Sequence, residues 1–128
     1  MWTYVQSTGE LVDAQGEVVA RGYAGCQEGK NTPAYEQVRN IGPLPQGHYS
    51  IGPPYATRTH GPYVLRLTPD LTNRMYGRAG FLIHGDSVSA PGTASNGCIV
   101  LPKSVRVGIG TSGDTRLEVI PVLNPVDK

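Results

Sequence analysis

The chain has 128 residues, which is the length of one ordinary domain. Its 17 glycines and 11 prolines are about twice their usual share, and only 16% of residues are charged, so long helices are not expected. Eleven basic and ten acidic residues give a net charge of +1 without a basic cluster, which removes the usual electrostatic sign of nucleic-acid binding. Apolar runs such as residues 99–101 are too short to span a bilayer, so no membrane insertion is expected.

Short β-branched and aromatic stretches, separated by glycine and proline, predict a mainly β domain that occupies residues 1–128. Strands are expected at 2–6, in a hairpin over 10–23 that is broken at 14–16, and at 49–51, 63–68, 81–84, 98–101 and 117–122. Pro121 favours a sheet edge for the last of these strands. Spacing of this kind is typical of a β-sandwich or a barrel.

Little helix is expected. Pro33 opens one or two turns that reach Asn40, and a second short helix is predicted from Ser104 to Ile109. Residues 124–128 are expected to fray, as chain ends often do.

The strongest chemical signal joins a histidine to a cysteine. An apolar strand ends in His84-Gly85-Asp86, and the polar turn Ser95-Asn96-Gly97 leads directly into Cys98 and the next strand. If the intervening loop folds back, His84 and Cys98 lie at the same end of neighbouring strands, where the imidazole can take the thiol proton. We further expect the amides of Asn96, Gly97 and Cys98 to converge on an oxyanion, with Ser95 shaping the turn.

This order of motifs resembles the L,D-transpeptidases and, within them, a compact branch of type VI secretion antibacterial effectors. The resemblance rests on His84-Gly85 followed by Ser95-Asn96-Gly97-Cys98, where asparagine replaces the second residue of the usual Ser-His-Gly-Cys form. Further matching segments are Ser7-Thr8-Gly9-Glu10-Leu11, Gly22-Tyr23-Ala24-Gly25, Gly42-Pro43-Leu44-Pro45-Gln46-Gly47-His48-Tyr49, and Arg78 before Phe81. The resemblance implies a β-sandwich catalytic domain with one or two short helices.

The same resemblance implies an activity on peptidoglycan stem tetrapeptides. His84 takes the proton of Cys98 while the main-chain carbonyl of Gly85 holds the imidazole, and the thiolate attacks the carbonyl of meso-diaminopimelate. The terminal D-alanine leaves, and water or an amine then resolves the thioester, giving L,D-carboxypeptidase or L,D-transpeptidase activity. The resemblance implies no cofactor.

Other polar residues have ordinary explanations beside functional ones. Arg78 is expected either to meet a substrate carboxylate or to form an exposed salt bridge, and Asp86 either to cap its loop or to neighbour the site. His48 and His60 lie in turn-rich segments and are expected at the surface. No paired Cys/His spacing supports a metal site, so none is expected.

Tyr23 and Tyr76 are expected to serve in packing. Cys26 has no base nearby in sequence and is expected to be a small buried or free thiol.

Two alternatives stay open. A sortase-like transpeptidase would use a cysteine, a histidine and an arginine, for which Arg106 is available, although its position between Val105 and Val107 is explained by exposure to solvent. A non-catalytic wall-binding module would join Cys26 to Cys98 in a disulfide. Thiol alkylation separates the second alternative from an enzyme, since an enzyme's Cys98 should be labelled, preferentially at mildly acidic to neutral pH.

Localisation and partners follow from the resemblance. Without a cleavable signal, such a protein is made in the cytoplasm and exported by a contractile secretion machine into the periplasm of a target bacterium. Its expected partners are stem peptides, a cognate immunity protein and a carrier of the secretion machine.

Overall fold

The computed structural model describes residues 1–123. Within them the fold is mainly β, with one α-helix, as the sequence predicts. The strands are β1 (Trp2–Val5), β2 (Glu10–Val12), β3 (Val18–Arg21), β4 (Tyr23–Ala24), β5 (Gly47–Ile51), β6 (Tyr55–Thr57), β7 (Gly61–Pro69), β8 (Leu82–His84), β9 (Ile99–Val100) and β10 (Arg116–Ile120). The helix α1 spans Lys103–Thr111, and 3₁₀ turns cover Gln27–Gly29 and Pro33–Tyr35. The expected fraying of residues 124–128 lies outside the described residues.

Hydrogen bonds join the strands in the order β3-β2-β1-β10-β5-β7-β8-β9-β4, and β6 pairs with β7. The pairs β1/β10 and β8/β9 are parallel, while the other pairs are antiparallel. The long strand β7 links the two parts of this order, because residues 67–69 pair with β5 whereas residues 65 and 66 pair with β8. The fold thereby places β8 and β9, which carry the His84 and Cys98 motifs, side by side.

Alternating side chains produce the core. Along β7, Leu65 and Leu67 are buried while Arg66 between them is exposed, which is the period of two expected for a strand with one covered face. On β8 and β9, Ile83 and Ile99 pair in register and both are fully buried. The odd-numbered residues of β8 and β9 therefore point into the core, and the even-numbered residues lie on the opposite face of these strands.

One local prediction is wrong, and one strand was missed. Pro121 does not mark an edge strand, because β10 lies between β1 and β5, and the proline follows the strand's last residue. Strand β6 was not predicted, since Pro53-Pro54 indicates a stop and hides the pairing of Tyr55 with Val64. The turns predicted from Pro33 to Asn40 are present as a 3₁₀ turn over Pro33–Tyr35 followed by further turns.

The predicted hairpin over residues 10–23 is confirmed in β2 and β3. These strands pair antiparallel around a tight turn in which the Gly16 amide donates to the Asp13 carbonyl. Gly16 adopts φ +85°, a left-handed conformation that suits glycine.

Candidate active site

Cys98 directly precedes β9 and is half-buried, with a free thiol. Its Sγ accepts a hydrogen bond from the Leu82 amide at 3.3 Å. The side chain lines a cavity of about 390 Å³ together with Arg78, Gly80, Phe81 and Asn96. Cys98 is therefore a reduced thiol beside an open space that can hold a substrate.

The predicted alternative of a Cys26–Cys98 disulfide is wrong. Both cysteines are free, and the Cys26 thiol donates instead to the Asn40 carbonyl at 3.1 Å. A non-catalytic module that depends on this bridge is thereby excluded.

His84 is the last residue of β8 and is only 2% exposed. Its Nδ1 lies 2.8 Å from the Gly85 carbonyl oxygen. Because a carbonyl only accepts hydrogen bonds, Nδ1 must carry the proton, and Nε2 of the neutral ring is left as the basic nitrogen. The residue pair His84-Gly85 thus fixes the tautomer that a general base needs.

The surroundings keep this imidazole neutral. Burial lowers the pKa of His84 below its ordinary value of 6.5, and the nearby charges of His60 and Arg106 act in the same direction. The hydrogen bond to Gly85 and the carboxylate of Asp86 oppose that shift without reversing it. At neutral pH His84 is therefore a free base.

The relation between His84 and Cys98 differs in part from the prediction. Strands β8 and β9 are neighbours, but they are parallel, with His84 opposite Val100, so Cys98 lies opposite Leu82 at the other end of the pair. Both side chains have the parity opposite to the core residues Ile83 and Ile99, which places them on the same face. Within the described residues, no hydrogen bond joins the thiol to the imidazole.

Ser95 ties the turn before Cys98 together. Its buried hydroxyl donates to the Cys98 carbonyl at 2.6 Å and accepts from the Gly25 amide at 2.8 Å and the Gly97 amide at 3.0 Å. Gly97 has φ +142°, and a side chain there would bring its Cβ within 2.6 Å of Arg78 Nη2. This tight turn requires glycine for both reasons.

One part of the predicted oxyanion site is occupied by the protein itself. The Gly97 amide is bound to Ser95, whereas the amides of Asn96 and Cys98 donate to no oxygen of residues 1–123. Asn96 is exposed and lines the cavity of about 390 Å³ beside the Cys98 side chain, called here the thiol-side cavity. These two amides are the donors that remain for a substrate oxygen.

Arg78 is buried against the cysteine turn, with 7% exposure. Its Nη1 donates to the carbonyls of Glu36 and Pro43, and its Nη2 donates to those of Gly42 and Asn96. Both Nη atoms, with two hydrogens each, are thus fully used. Arg78 fastens the turn that carries Cys98 and has no Nη hydrogen left for a substrate carboxylate.

The thiol is protonated at rest. Burial raises the pKa of Cys98, and the Leu82 amide and the positive charge of Arg78 only partly oppose this shift. This raised pKa argues against preferential labelling of Cys98 by alkylating reagents at mildly acidic to neutral pH, where the thiolate fraction is small.

Asp86 organises the loop between β8 and the cysteine turn. Its Oδ1 accepts hydrogen bonds from the Tyr23 hydroxyl at 2.6 Å and from the amides of Ser87 and Gly92 at 2.8 and 3.1 Å. The Tyr23 hydroxyl in turn accepts from the Ala94 amide at 2.9 Å. Asp86 caps its loop, and Tyr23 does more than the packing expected of it.

The structure adds His60 to this region. Its ring centroid lies 4.5 Å from that of His84, at an interplanar angle of 43°. His60 is exposed, as predicted, yet it borders a cavity of about 560 Å³ that also touches His84, Gly85, Asp86 and Arg106. The imidazole of His84 therefore lines a cavity different from the one that the Cys98 side chain lines.

The predicted solvent-facing position of Arg106 is wrong, because its side chain is 5% exposed. Its Nε donates to the Leu101 carbonyl at 3.0 Å, and Nη1 donates to the carbonyls of Pro62 and Tyr63 at 2.7 and 2.8 Å. In a helix the flanking valines lie on other faces, whereas a residue three positions along lies on the same face. That residue is Ile109, which is buried. Its apolar side chain in the sequence could have indicated that Arg106 lies on the buried face of the helix.

A free thiol and a tautomer-fixed imidazole on adjacent strands define a candidate site for thiol nucleophilic chemistry. Residues 19–112 match the family model of the Tlde1 domain. The chain therefore belongs to the Tlde1-domain family, an enzymatic family of type VI secretion antibacterial effectors. Comparison with curated proteins and with solved structures gave no match.

Membership of an effector family implies a cognate immunity protein and a secretion machine as partners. Over residues 1–123, helices long and apolar enough to cross a membrane are absent. The same residues contain no group of three or more His, Cys, Asp or Glu side chains arranged to hold a metal ion.

Proposed function

We propose that this chain is a cysteine-dependent enzyme that removes or exchanges the terminal D-alanine of peptidoglycan stem tetrapeptides. Family membership and the ordered motifs around His84 and Cys98 support the substrate class. The observation that carries the chemistry is the Nδ1 bond of His84 to the Gly85 carbonyl, because it leaves Nε2 as a base on the strand beside a free thiol. The proposal treats residues 1–128 as one catalytic domain.

The reaction begins with a neutral thiol and a neutral imidazole. Nε2 of His84 takes the Cys98 proton as Sγ bonds to the carbonyl carbon of meso-diaminopimelate. The C–N bond to D-alanine then breaks, and the leaving nitrogen receives that proton from His84. Water or the amine of a D-amino acid attacks the thioester, the C–S bond breaks, and the proton released by the attacking group returns to Cys98 through His84.

This sequence requires the thiol to approach the imidazole. In the resting arrangement Sγ is bound to the Leu82 amide, two residues before His84 on the neighbouring strand. Because both side chains lie on one face, rotation about the Cα–Cβ bond of Cys98 changes their separation without moving the strands. The amides of Asn96 and Cys98 are the donors for the oxyanion of the tetrahedral intermediate.

The match to the effector family favours stem peptides over the substrates of a sortase-like enzyme. We place the site of action in the periplasm of the target bacterium, where peptidoglycan lies. The immunity protein then protects the producer by blocking this activity.

The proposal is tested with purified disaccharide tetrapeptide and mass spectrometry of the products. The wild-type chain should release D-alanine and leave the tripeptide, and addition of D-methionine should give an exchanged tetrapeptide. Cys98→Ala should abolish both products, because it removes the nucleophile while deleting a single atom from a half-buried site. Cys26→Ala is the matched control and should retain both activities, since its thiol donates a hydrogen bond to the Asn40 carbonyl and Cys26 does not line the cavity beside Cys98.

Retention of either activity in a folded Cys98→Ala variant would remove Cys98 from the mechanism. If the wild-type chain cleaves a bond other than the one before D-alanine, the proposed cleavage site is wrong. Thermal unfolding of each variant, followed by circular dichroism, shows whether a lost activity reflects chemistry or folding.

A further inference from the structure

One nitrogen of the buried Arg106 guanidinium is not used by the fold. Nε and Nη1 donate to the carbonyls of Leu101, Pro62 and Tyr63, and Nη2 donates to no oxygen of residues 1–123. The enclosed side-chain polar atoms without a partner in that part of the chain are Tyr4 Oη and Gln6 Oε1, so Nη2 is not sealed in the core. Arg106 is 5% exposed and lines two cavities, one with His84 and Gly85 and another with Tyr23 and Leu101. The closeness of Nη2 to Gly85, which lines only the first of these, assigns the free nitrogen to the cavity beside His84.

The position of Nη2 is fixed relative to the catalytic base. A Cβ at position 85 would lie 2.7 Å from Nη2, so this nitrogen is in contact with the backbone of Gly85. The carbonyl of the same glycine holds Nδ1 of His84. One glycine therefore connects the imidazole, which handles protons, to a fixed positive charge beside it.

The cavity contains one competing carboxylate, that of Asp86. Asp86 forms no ion pair with Arg106, and its oxygens accept hydrogen bonds from the Tyr23 hydroxyl and from the Ser87 and Gly92 amides. Asp86 is exposed and retains its own loop contacts, so the free hydrogens of Nη2 are left for another acceptor. The chemical class that best satisfies a buried guanidinium is a carboxylate.

We propose that Arg106 Nη2 binds the α-carboxylate of the terminal D-amino acid, both when D-alanine leaves and when a D-amino acid enters. This inference rests on the proposed function. The leaving nitrogen must meet His84 to receive a proton, and the carboxylate carbon of an α-amino acid is two bonds from that nitrogen. The acyl part of the stem peptide then occupies the thiol-side cavity, and the terminal residue occupies the cavity that His84 shares with Arg106.

This subsite gives the enzyme its preference for the end of a peptide. A terminal residue presents a carboxylate to Arg106, whereas an internal residue presents a neutral amide at the same place. Hydrogen bonds to charged groups are stronger than those between neutral groups, so the discrimination acts on binding and on the transition state together.

The first experiment leaves the protein unchanged. Disaccharide tetrapeptide with a free D-alanine carboxylate is compared with the same molecule ending in D-alaninamide. We expect kcat/KM for the acid to exceed that for the amide by about 10- to 100-fold, the range of one charge-assisted hydrogen bond. In the exchange reaction, D-methionine should likewise be used far better than D-methioninamide.

The second experiment assigns the preference to Arg106. Arg106→Ala should reduce the acid-to-amide ratio to within about threefold, because the charge is removed. Because Arg106 also donates to three backbone carbonyls, the alanine variant could fail to fold, so Arg106→Lys is made in parallel. The lysine variant keeps a positive charge and should give an acid-to-amide ratio between those of the wild-type chain and the alanine variant. Arg66→Ala removes an exposed arginine from β7 and should leave the ratio unchanged.

The outcomes distinguish this subsite from the proposed function. Turnover of both peptides at rates within about twofold overturns the subsite and leaves the thioester mechanism standing. A strong preference for the acid that survives in folded Arg106 variants also overturns it, because another group must then bind the carboxylate. Failure of the wild-type chain to process either peptide overturns the proposed function, and the subsite falls with it.

Discussion

Two buried arginines stand on the two sides of the candidate site, and their contacts differ. Arg78 lies on the thiol side, where its two Nη atoms donate to four backbone carbonyls. Three of these carbonyls belong to residues 36–43, and the fourth belongs to Asn96 in the turn before Cys98. Arg106 lies on the imidazole side, where Nε and Nη1 donate to three carbonyls and Nη2 donates to no oxygen of residues 1–123. Every Nη hydrogen of Arg78 is bound to a backbone carbonyl, and only its single Nε hydrogen has no acceptor among residues 1–123. Arg106 instead keeps both hydrogens of Nη2 without an acceptor there, and these can bind a ligand oxygen.

Under the proposed function, this difference matches two different tasks. The thiol side would keep the turn at Asn96 and Gly97 rigid, so that its backbone amides bind the oxyanion without reorganisation. The imidazole side would bind and release the terminal D-amino acid, for which a positive charge at the wall of an open cavity is suited. Each prediction below alters one side and leaves the other intact.

The largest effect is expected from Arg78→Ala. Loss of the guanidinium leaves the carbonyls of Glu36, Gly42, Pro43 and Asn96 without their donor, and at about 1 kcal/mol for each hydrogen bond the free energy of unfolding should fall by about 3–5 kcal/mol. Chemical denaturation followed by circular dichroism measures this loss. Activity should fall by at least about 100-fold even under conditions where the variant is folded, because the oxyanion amides lose their support.

Arg39→Ala is the control for that experiment. Arg39 is exposed and borders the same cavity, so its replacement should change the free energy of unfolding by less than about 0.5 kcal/mol. Equal stability of the Arg78 and Arg39 variants would mean that the Arg78 contacts do not hold the turn.

A smaller effect is expected from Gly85→Ala, which alters the imidazole side. The added methyl group would lie 2.7 Å from Arg106 Nη2, and overpacking of this kind costs about 1–3 kcal/mol. The displaced guanidinium should also raise KM for the tetrapeptide acid more than for the amide. Thermal unfolding and steady-state kinetics measure the two effects separately.

Gly108→Ala provides the opposite control within helix α1. A Cβ at position 108 would meet nothing within 4 Å, and alanine is favoured over glycine in a helix by about 1 kcal/mol. This variant should be more stable than the wild-type chain and equally active. If both glycine variants behaved alike, contact between Gly85 and Arg106 would be refuted.

The sequence predicted the parts of this fold and site that depend on local pattern. Alternating apolar residues and glycine-rich turns predicted most strand positions within a few residues, although β6 was missed. A catalytic role for the thiol after the polar turn at residues 95–97 stays a prediction. Strand order could not be read in this way, because β1 pairs with β10 across more than a hundred residues. The opposite-end placement of Cys98 and His84 has the same origin, since it depends on the parallel pairing of β8 with β9.

The residues around His84 were missed for a related reason. His60 lies in a polar turn, and only the pairing of β6 and β7 with the rest of the sheet brings its ring over His84. Arg106 was judged by its immediate neighbours in sequence, although contacts three positions apart decide which face of a helix is buried. A residue that reaches a site only through tertiary packing cannot be recognised from the residues next to it in sequence.

The smallest effect is expected in the pH profile, which reports the imidazole side directly. Burial lowers the pKa of His84, and the charges of His60 and Arg106 lower it further, so the base stays deprotonated when the pH falls below 6.5. The acid limb of kcat/KM should therefore lie below 6.5, and His60→Gln should move it upward by removing a positive neighbour. Arg39→Ala, on the thiol side, should leave the limb in place. An acid limb at or above 6.5 in the wild-type chain would contradict a buried, unprotonated His84, whereas a limb that does not respond to His60→Gln would show that His60 does not influence the pKa of His84.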